Sequence, residues 1–401
     1  MADVQVADSQ AVSAAVAALY NTYPFPPEPL LDEPPPGYNW RWSWPAAYHF
    51  CAGRTPDRRD IRILDAGCGT GCGTEYLVHL NPAAEVIGID LSPGALAVAQ
   101  ERCQRSGAGK AQFQELSLFD AAQLPGQFEL INCVGVLHHT ADPVRGIQAL
   151  AEKLAPGGIM HIFVYGELGR WEIQLMQEAI GLLQGEKRGD YRDGVQVGRQ
   201  VFTNLPENNR LVLREKERWA IENHRDECFA DMYVHPQEID YNVNTLFDLI
   251  DASGLDFVGF SNRLVWDISR LIGKAPDLME RAAKLSDRQR YRLTEILDPS
   301  SFTHYEFFLS KGKLTSPNWQ DDAVLAAAIP DRSPCMDGWE SKHLFNFEYQ
   351  LIKLSDPEFD FIKAADGNTQ KTVGEIASAV GLDFDRVRKL RDEQLILLTA
   401  R

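Results

Sequence analysis

The chain is short of positive charge: 40 Lys and Arg stand against 57 Asp and Glu, a formal net charge of −17 over 401 residues. That balance supplies no overall attraction to phosphate backbones or to anionic membrane surfaces, which argues against a nucleic-acid substrate. There is no uncharged apolar run of the roughly 18 residues that a membrane span requires. The Ala/Val-rich start, Met1 to Tyr20, is expected to form an amphipathic helix, and it carries Asp3 and Asp8 in place of the basic opening of an export signal. No internal repeat of solenoid period is visible. The seven cysteines form no CxxC pair, and Cys68 and Cys72 have no His or Cys partner at metal-ligand spacing. The expectation is a cytoplasmic protein with reduced thiols, no metal, no membrane partner and no nucleic-acid partner; of oligomeric state the sequence says nothing.

What is abundant is more telling. Residues 24 to 36, PFPPEPLLDEPPP, are too rich in proline for helix or central strand, and Tyr38, Trp40, Trp42, Trp44 and Tyr48 follow at once. Residues 1 to 48 therefore read as an N-terminal helix and a proline/aromatic arm that packs over something, as a core lid or as a pocket wall. From Ile61 short apolar runs alternate with helical segments: IRILDA, EVIGID, AQFQE, FELINCV and GIMHIFVY as strands, with TEYLVHL, PGALAVAQERCQRS and DPVRGIQALAEKL as helices between them. This alternation predicts an α/β fold, a Rossmann-like doubly wound sheet, which binds ligands beyond the carboxyl ends of its strands. The expected core domain is 49 to 313, interrupted by helical insertions at about 166 to 234 and 266 to 300, which would stand over the ligand side. A tail, 323 to 401, is expected to be a small helical module of winged-helix type, its last part, from Leu354, running helix, turn, helix and a final LILLTA strand.

The loop LDAGCGTGCG places glycines at 67, 69, 71 and 73, and Cys72 stands where a dinucleotide fingerprint starting at Gly67 needs glycine. Such a ladder after a strand brings backbone close to a ligand and turns sharply into a helix. Asp65, Gly67, Cys68, Gly69, Thr70 and Gly71 are the candidate residues for the amino-acid end of S-adenosylmethionine. Asp90 closes the second strand about 20 residues on, where an acid takes both ribose hydroxyls, with Leu91 and Ser92 beside it. Ser117, Leu118 and Asp120 are candidates for the adenine, and Val134 and His139 for contacts after the fourth strand. Taken alone Asp120 is an ordinary solvated loop acid, and the His138-His139 pair is more often a structural or cofactor contact than a general base.

Together Asp65-Ala-Gly67-Cys-Gly69-Thr-Gly71, Asp90, Asp120, VGVLHHTADP and KLAPGG resemble class I S-adenosylmethionine-dependent methyltransferases. That resemblance implies a seven-stranded sheet, with DFVGF and THYEFFLS as the sixth and seventh strands and the last inserted antiparallel. It implies the methyl donor and leaves the acceptor open.

For the acceptor side the candidates are Asn132, His138, Tyr20 and Tyr23. The N-terminal Tyr20-x-x-Tyr23-Pro-Phe-Pro and the helical tail resemble bacterial protein-lysine methyltransferases, and also the cyanobacterial enzymes that methylate an asparagine amide of phycobiliproteins. That favours a protein substrate. Against it, Asn132-Cys133-Val134-Gly135 lacks the Asn/Asp-Pro-Pro-aromatic pattern frequent in enzymes that methylate planar nitrogens, and VGVLHHTADP is common in small-molecule methyltransferases. A small-molecule acceptor, in a pocket sealed by Trp40, Trp42 and Trp44, is the second expectation. A non-catalytic adenosylmethionine-binding protein is the third.

Overall fold

The computed structural model describes residues 2–400; Met1, Arg401 and the side chains of residues 2–8, including Asp3 and Asp8, lie outside what is described. Helix α1 (Ala2–Thr22) leads through the proline-rich stretch and a 3-10 turn (Trp40–Trp42) to α2 (Trp44–Ala52). The alternating segment follows as β1 (Arg62–Ala66), α3 (Cys72–Leu80), β2 (Glu85–Asp90), α4 (Pro93–Arg105), β3 (Gln112–Glu115), β4 (Phe128–Val134), α5 (Pro143–Lys153) and β5 (Leu154–Tyr165). Four helices then intervene, α6 (Glu167–Gln184), α7 (Tyr191–Asn204), α8 (Arg210–Arg214) and α9 (Asp226–Tyr233). After α10 (Val243–Ser253) and β6 (Asp256–Phe260) come α11 (Ser269–Ile272), α12 (Pro276–Ala283), α13 (Asp287–Leu297) and β7 (His304–Ser310).

Strands β1 to β7 form one sheet in the order β3-β2-β1-β4-β5-β7-β6, parallel except for β7, which runs antiparallel between β5 and β6. This is the expected α/β Rossmann-like sheet with its last strand inserted. The central strands β2, β1, β4, β5 and β7 are mostly buried, as the inside of such a sheet requires, while the edge strand β3 is largely exposed. Side chains alternate with period two, so Leu64, Ile87, Ile131 and Met160 join one apolar cluster while Ile63, Val86, Leu130 and Ile159 join another across the sheet.

Trp40 and Trp44 belong to that second cluster, where Trp40 stacks near Phe50 and Phe308 at 4.9 and 5.9 Å. The aromatic density of the arm is thus mostly core. A third cluster joins Leu19 of α1 to Ile173, Met176, Tyr191 and Phe229 of the helical insertion, holding α1 against it.

The tail contains α14 (Asp322–Ala327), β8 (Ile329–Arg332), β9 (His343–Phe345), β10 (Leu351–Lys353), α15 (Asp356–Ala365), α16 (Val373–Val380), α17 (Phe384–Asp392) and β11 (Ile396–Thr399). After Leu354 three helices stand where two are expected. Gly381, at φ 72°, ends α16, and the Asp383 side chain caps α17 two residues later. β11 pairs antiparallel with β8, and the tail has its own apolar cluster around Phe361, Ile376 and Leu390. It is tied to the sheet domain by Thr55 N–H donating to Leu398 O at 2.8 Å and Trp319 Nε1 donating to Gly53 O at 2.6 Å.

Candidate active site

A cavity of about 400 Å³ opens at the carboxyl ends of β1, β2, β4 and β5. Its floor is the glycine turn. Gly67 and Gly69 have φ of 79° and 51°, and the Gly67 N–H bonds Ile89 O at 2.8 Å, pinning the turn to β2. A Cβ on Gly67 would lie 2.4 Å from Val136 Cγ2, and one on Gly69 would lie 2.6 Å from Phe25 O. Only glycine lets backbone form this cradle. Gly69→Ala is therefore expected to cost about 1–2 kcal/mol for the left-handed conformation alone, and more once Phe25 is pushed aside. Urea unfolding measures it, and an unchanged midpoint would contradict the crowding.

Asp90 reaches the cavity with its carboxylate already oriented: Oδ2 accepts the Gly69 N–H at 2.8 Å and Oδ1 the Ser92 N–H at 2.9 Å. Burial raises its pKa while these backbone donors pull it back. Each oxygen keeps a lone pair for a ligand. Asp65, 3% exposed, accepts from Thr74 Oγ1 at 2.6 Å and from Asn132 Nδ2 at 2.8 Å; burial raises its pKa against both bonds.

Asn132 is held at its other end too. Its Oδ1 lies 2.9 Å from His161 Nδ1, whose Nε2 lies 3.1 Å from Glu306 Oε1, so a buried polar chain crosses β1, β4, β5 and β7. Arg41 closes that chain at 2.6 Å from Glu306. Burial favours the neutral acid, yet the His161 bond and the Arg41 charge outweigh it and hold the Glu306 carboxyl down at about 2. Asn132 lines the cavity, but both ends of its amide are engaged in fixing Asp65.

The other sequence candidates divide. Cys68, Leu91, Ser117, Leu118, Val134, His139 and Tyr20 line the cavity. Thr70 is buried beneath it, its hydroxyl donating to Pro26 O at 2.6 Å, and Gly71 is the N-cap of α3 against Ala99. Ser92 caps α4 and donates to Asn21 Oδ1 at 2.7 Å, tying α1 to the sheet domain. Asp120 is exposed and does not line the cavity. It sits at a kink inside the 3-10 segment Leu118–Gln123, with φ −104° and ψ 15°, while Leu118 turns into the core. His138 is fully buried with both ring nitrogens unpartnered, packed 4.0 Å from the Tyr165 ring, and Tyr23 packs at the edge of the insertion cluster. None of these last three borders the cavity.

Several lining residues escape local sequence reasoning. Ser13, Val16 and Ala17 of α1 roof the cavity beside the expected Tyr20, and Phe25 and Pro26 join the expected Trp42 from the arm. Phe163 and Tyr165 come from the end of β5, and Asp231 from α9, the last lining residue along the chain. The Tyr20 hydroxyl donates to Asp231 Oδ1 at 2.9 Å and the Tyr165 hydroxyl to Oδ2 at 3.4 Å. His235 is buried and stacked on His139 at 3.6 Å. The signal in sequence was faint: one acid in FADMY, on a helix within a charged insertion. The second insertion, α11 to α13, contributes nothing to the lining.

The cavity thus combines a glycine cradle without room for Cβ atoms, an oriented acid at the end of β2, a second acid at the end of β1, and an apolar slot of Leu116, Leu118 and Phe119. That donor set fits a nucleoside with vicinal hydroxyls and a cationic amino-acid end.

The model of the methyltransferase domain family matches residues 64–160. An uncharacterised protein from Synechococcus sp. is 59% identical over 390 residues, covering 96% of this chain and 93% of that protein. An uncharacterised phycocyanin operon protein W from Pseudanabaena tenuis is 79% identical over 94 residues, 23% of this chain and 89% of that protein. Among solved structures, PKMT2 from Rickettsia typhi, also determined in complex with AdoHcy, superposes with a TM-score of 0.61 at 14% identity, covering 91% of this chain and 76% of that chain, a likeness of fold. The chain belongs to one family with the Synechococcus protein, and it is a class I methyltransferase that uses S-adenosylmethionine as its methyl donor.

Proposed function

We propose that this methyltransferase modifies a side-chain nitrogen of a protein, the asparagine amide of a phycobiliprotein. The observation that carries the reading is the 79% identity over 94 residues with a phycocyanin operon protein, because genes held in one operon commonly serve one product. The lining adds support. Of the three tryptophans expected to seal a small-molecule pocket only Trp42 reaches the cavity, and the roof is built from α1, the arm and α9.

In this reading Asp90 takes the ribose hydroxyls, Leu116 to Phe119 enclose the adenine, and Gly67 to Gly69 back the amino-acid end, whose ammonium faces Asp65. S-adenosylmethionine supplies a methyl group already activated by its sulfonium, so the chain's own work is alignment and proton removal. Alignment falls to the glycine cradle and to the Asp65-Asn132-His161-Glu306 chain, which keeps one wall from yielding. The phenols of Tyr20 and Tyr165 and the Asp231 carboxylate form the polar part of the opposite wall.

The test uses the full-length enzyme, methyl-labelled donor, and phycocyanin purified from a cyanobacterial strain lacking this gene. The expected result is label on phycocyanin and a mass gain of one methylene on an asparagine-containing peptide. Label on lysine, or a methylated small metabolite with phycocyanin unlabelled, sinks the amide reading.

A further inference from the structure

An amide nitrogen is a weak nucleophile whose methylated form is strongly acidic, so its methylation needs a group placed to take a proton. The cavity holds one acid outside the donor half. Asp231 is 6% exposed and is held between two phenols from distant parts of the chain, Tyr20 on α1 and Tyr165 on β5. Each carboxylate oxygen receives one hydrogen bond and has a second lone pair. Beside it His139 places Nδ1 at 2.9 Å from Gln237 O, so Nδ1 carries the proton and Nε2 presents a lone pair. His235 accepts the Gln237 N–H on Nδ1 at 3.2 Å, which leaves its proton on Nε2, buried without an acceptor. One ring nitrogen of each histidine and an oxygen of Asp231 lie within 4.8 Å of one another.

We propose that Asp231 is the catalytic base of the acceptor subsite, accepting an N–H of a primary carboxamide, with His139 Nε2 as acceptor for the other N–H and Tyr20 and Tyr165 as positioning residues. The proposal rests on the amide reading above. The acceptor nitrogen bonds the methyl carbon as the carbon–sulfur bond of the donor breaks with both electrons staying on sulfur, and the nitrogen's proton passes to an Asp231 oxygen. A lysine suits this subsite poorly, since a bare carboxylate would hold it as the unreactive ammonium, whereas a carboxamide is neutral and needs only the proton acceptor. A metal on the same three residues is disfavoured by the His235 proton, because a ligating imidazole donates through its other nitrogen and here that nitrogen accepts.

The groups around Asp231 are Tyr20 from α1, Tyr165 from β5, Arg170 from α6, His139 from the turn after β4, His235 and Glu238 after α9, and Cys228 on α9 itself. Burial drives its pKa up to about 6, against the two phenol bonds and the Arg170 charge. His139, held neutral by burial at a pKa of about 3, does not titrate in the same range. The rate of the bound complex should therefore rise with pH through about 6, the limb that belongs to Asp231, while burial places the neighbouring Glu238 carboxyl higher, at about 8.

The test is single-turnover methylation of phycocyanin from the gene-deleted strain, by wild type, Asp231→Asn and Tyr20→Phe, with adenosylhomocysteine affinity measured alongside by calorimetry. Asp231→Asn should lose about 100-fold in rate, bind adenosylhomocysteine within about threefold of wild type, and show no acid limb. Tyr20→Phe, which removes a bond to the carboxylate, should move that limb to higher pH. A loss below about tenfold in Asp231→Asn, an acid limb that survives it, or an unmoved limb in Tyr20→Phe overturns the base assignment. Chelator-sensitive activity restored by a divalent cation overturns it in favour of a metal. Wild type that labels no asparagine defeats the amide reading itself, and so is distinguished from failure of Asp231.

Discussion

Asp90→Ala should abolish measurable S-adenosylmethionine binding while leaving the protein folded. The carboxylate is pre-aimed by the Gly69 and Ser92 amides and faces the cavity, so the ribose would meet two lone pairs already in place. Hydrogen bonds to a charged group contribute about 1.5–3 kcal/mol each. Two of them give about 3–6 kcal/mol, at least about a hundredfold in Kd. The variant also frees the Gly69 N–H, and with it the backbone at the floor of the cradle. Calorimetric titration checks the result, and affinity within about threefold of wild type would refute the ribose assignment. Asp90→Asn separates the two contributions: it keeps an oxygen for one backbone amide while losing the charge, so an intermediate loss is expected.

The parts of this fold legible in the sequence are those governed by local rules. A strand that must be buried on both faces reads as an apolar run, and a turn that must admit backbone reads as glycine; hence β1, β2, β4, β5, the cradle and Asp90 stand where the spacing puts them. Asp120 shows where such a rule runs out. Its distance from the third strand fits the adenine, but the chain kinks at Asp120 itself, between the Ser117 cap with Leu118 drawn into the core and the turn that follows. Asp231 shows the opposite failure. Its partners lie 211 and 66 residues away in the chain, and no periodicity links α1, β5 and α9. The arm was half legible. Proline density excluded regular structure, but the sequence does not reveal that Trp40 and Trp44 would fill the sheet's second face while Phe25, Pro26 and Trp42 close the cavity.

Arg102→Met should destabilise the protein by about 3–5 kcal/mol and release the arm from the cavity. Arg102, 3% exposed on α4, donates from Nε to Thr70 O at 2.9 Å, from Nη1 to Pro29 O at 2.9 Å and from Nη2 to Glu28 O at 2.7 Å. One guanidinium thus fastens the glycine turn and the proline strap together. Its planar fork is suited to this, since five fixed donors can serve three carbonyls at once. Its charge is matched by Glu75, 2% exposed, at 3.7 Å. Methionine preserves the volume but leaves three carbonyls and a buried carboxylate uncompensated. The strap's other ties, Thr70 to Phe25 and Pro26, Arg225 to Pro27 O and the Glu28 carboxylate, Tyr76 to Pro36 O and the exposed Arg105–Asp32 pair, do not serve the Glu28 and Pro29 carbonyls. Denaturant unfolding should show the loss of stability, and limited proteolysis should cut within 24 to 36 faster than in wild type. The double variant Arg102→Met with Glu75→Gln separates charge from tether: removing the orphaned carboxylate should return part of the stability, whereas the strap should stay as open to protease as in the single variant. Recovery of both together would mean that Glu75, rather than the three carbonyl bonds, is what Arg102 serves.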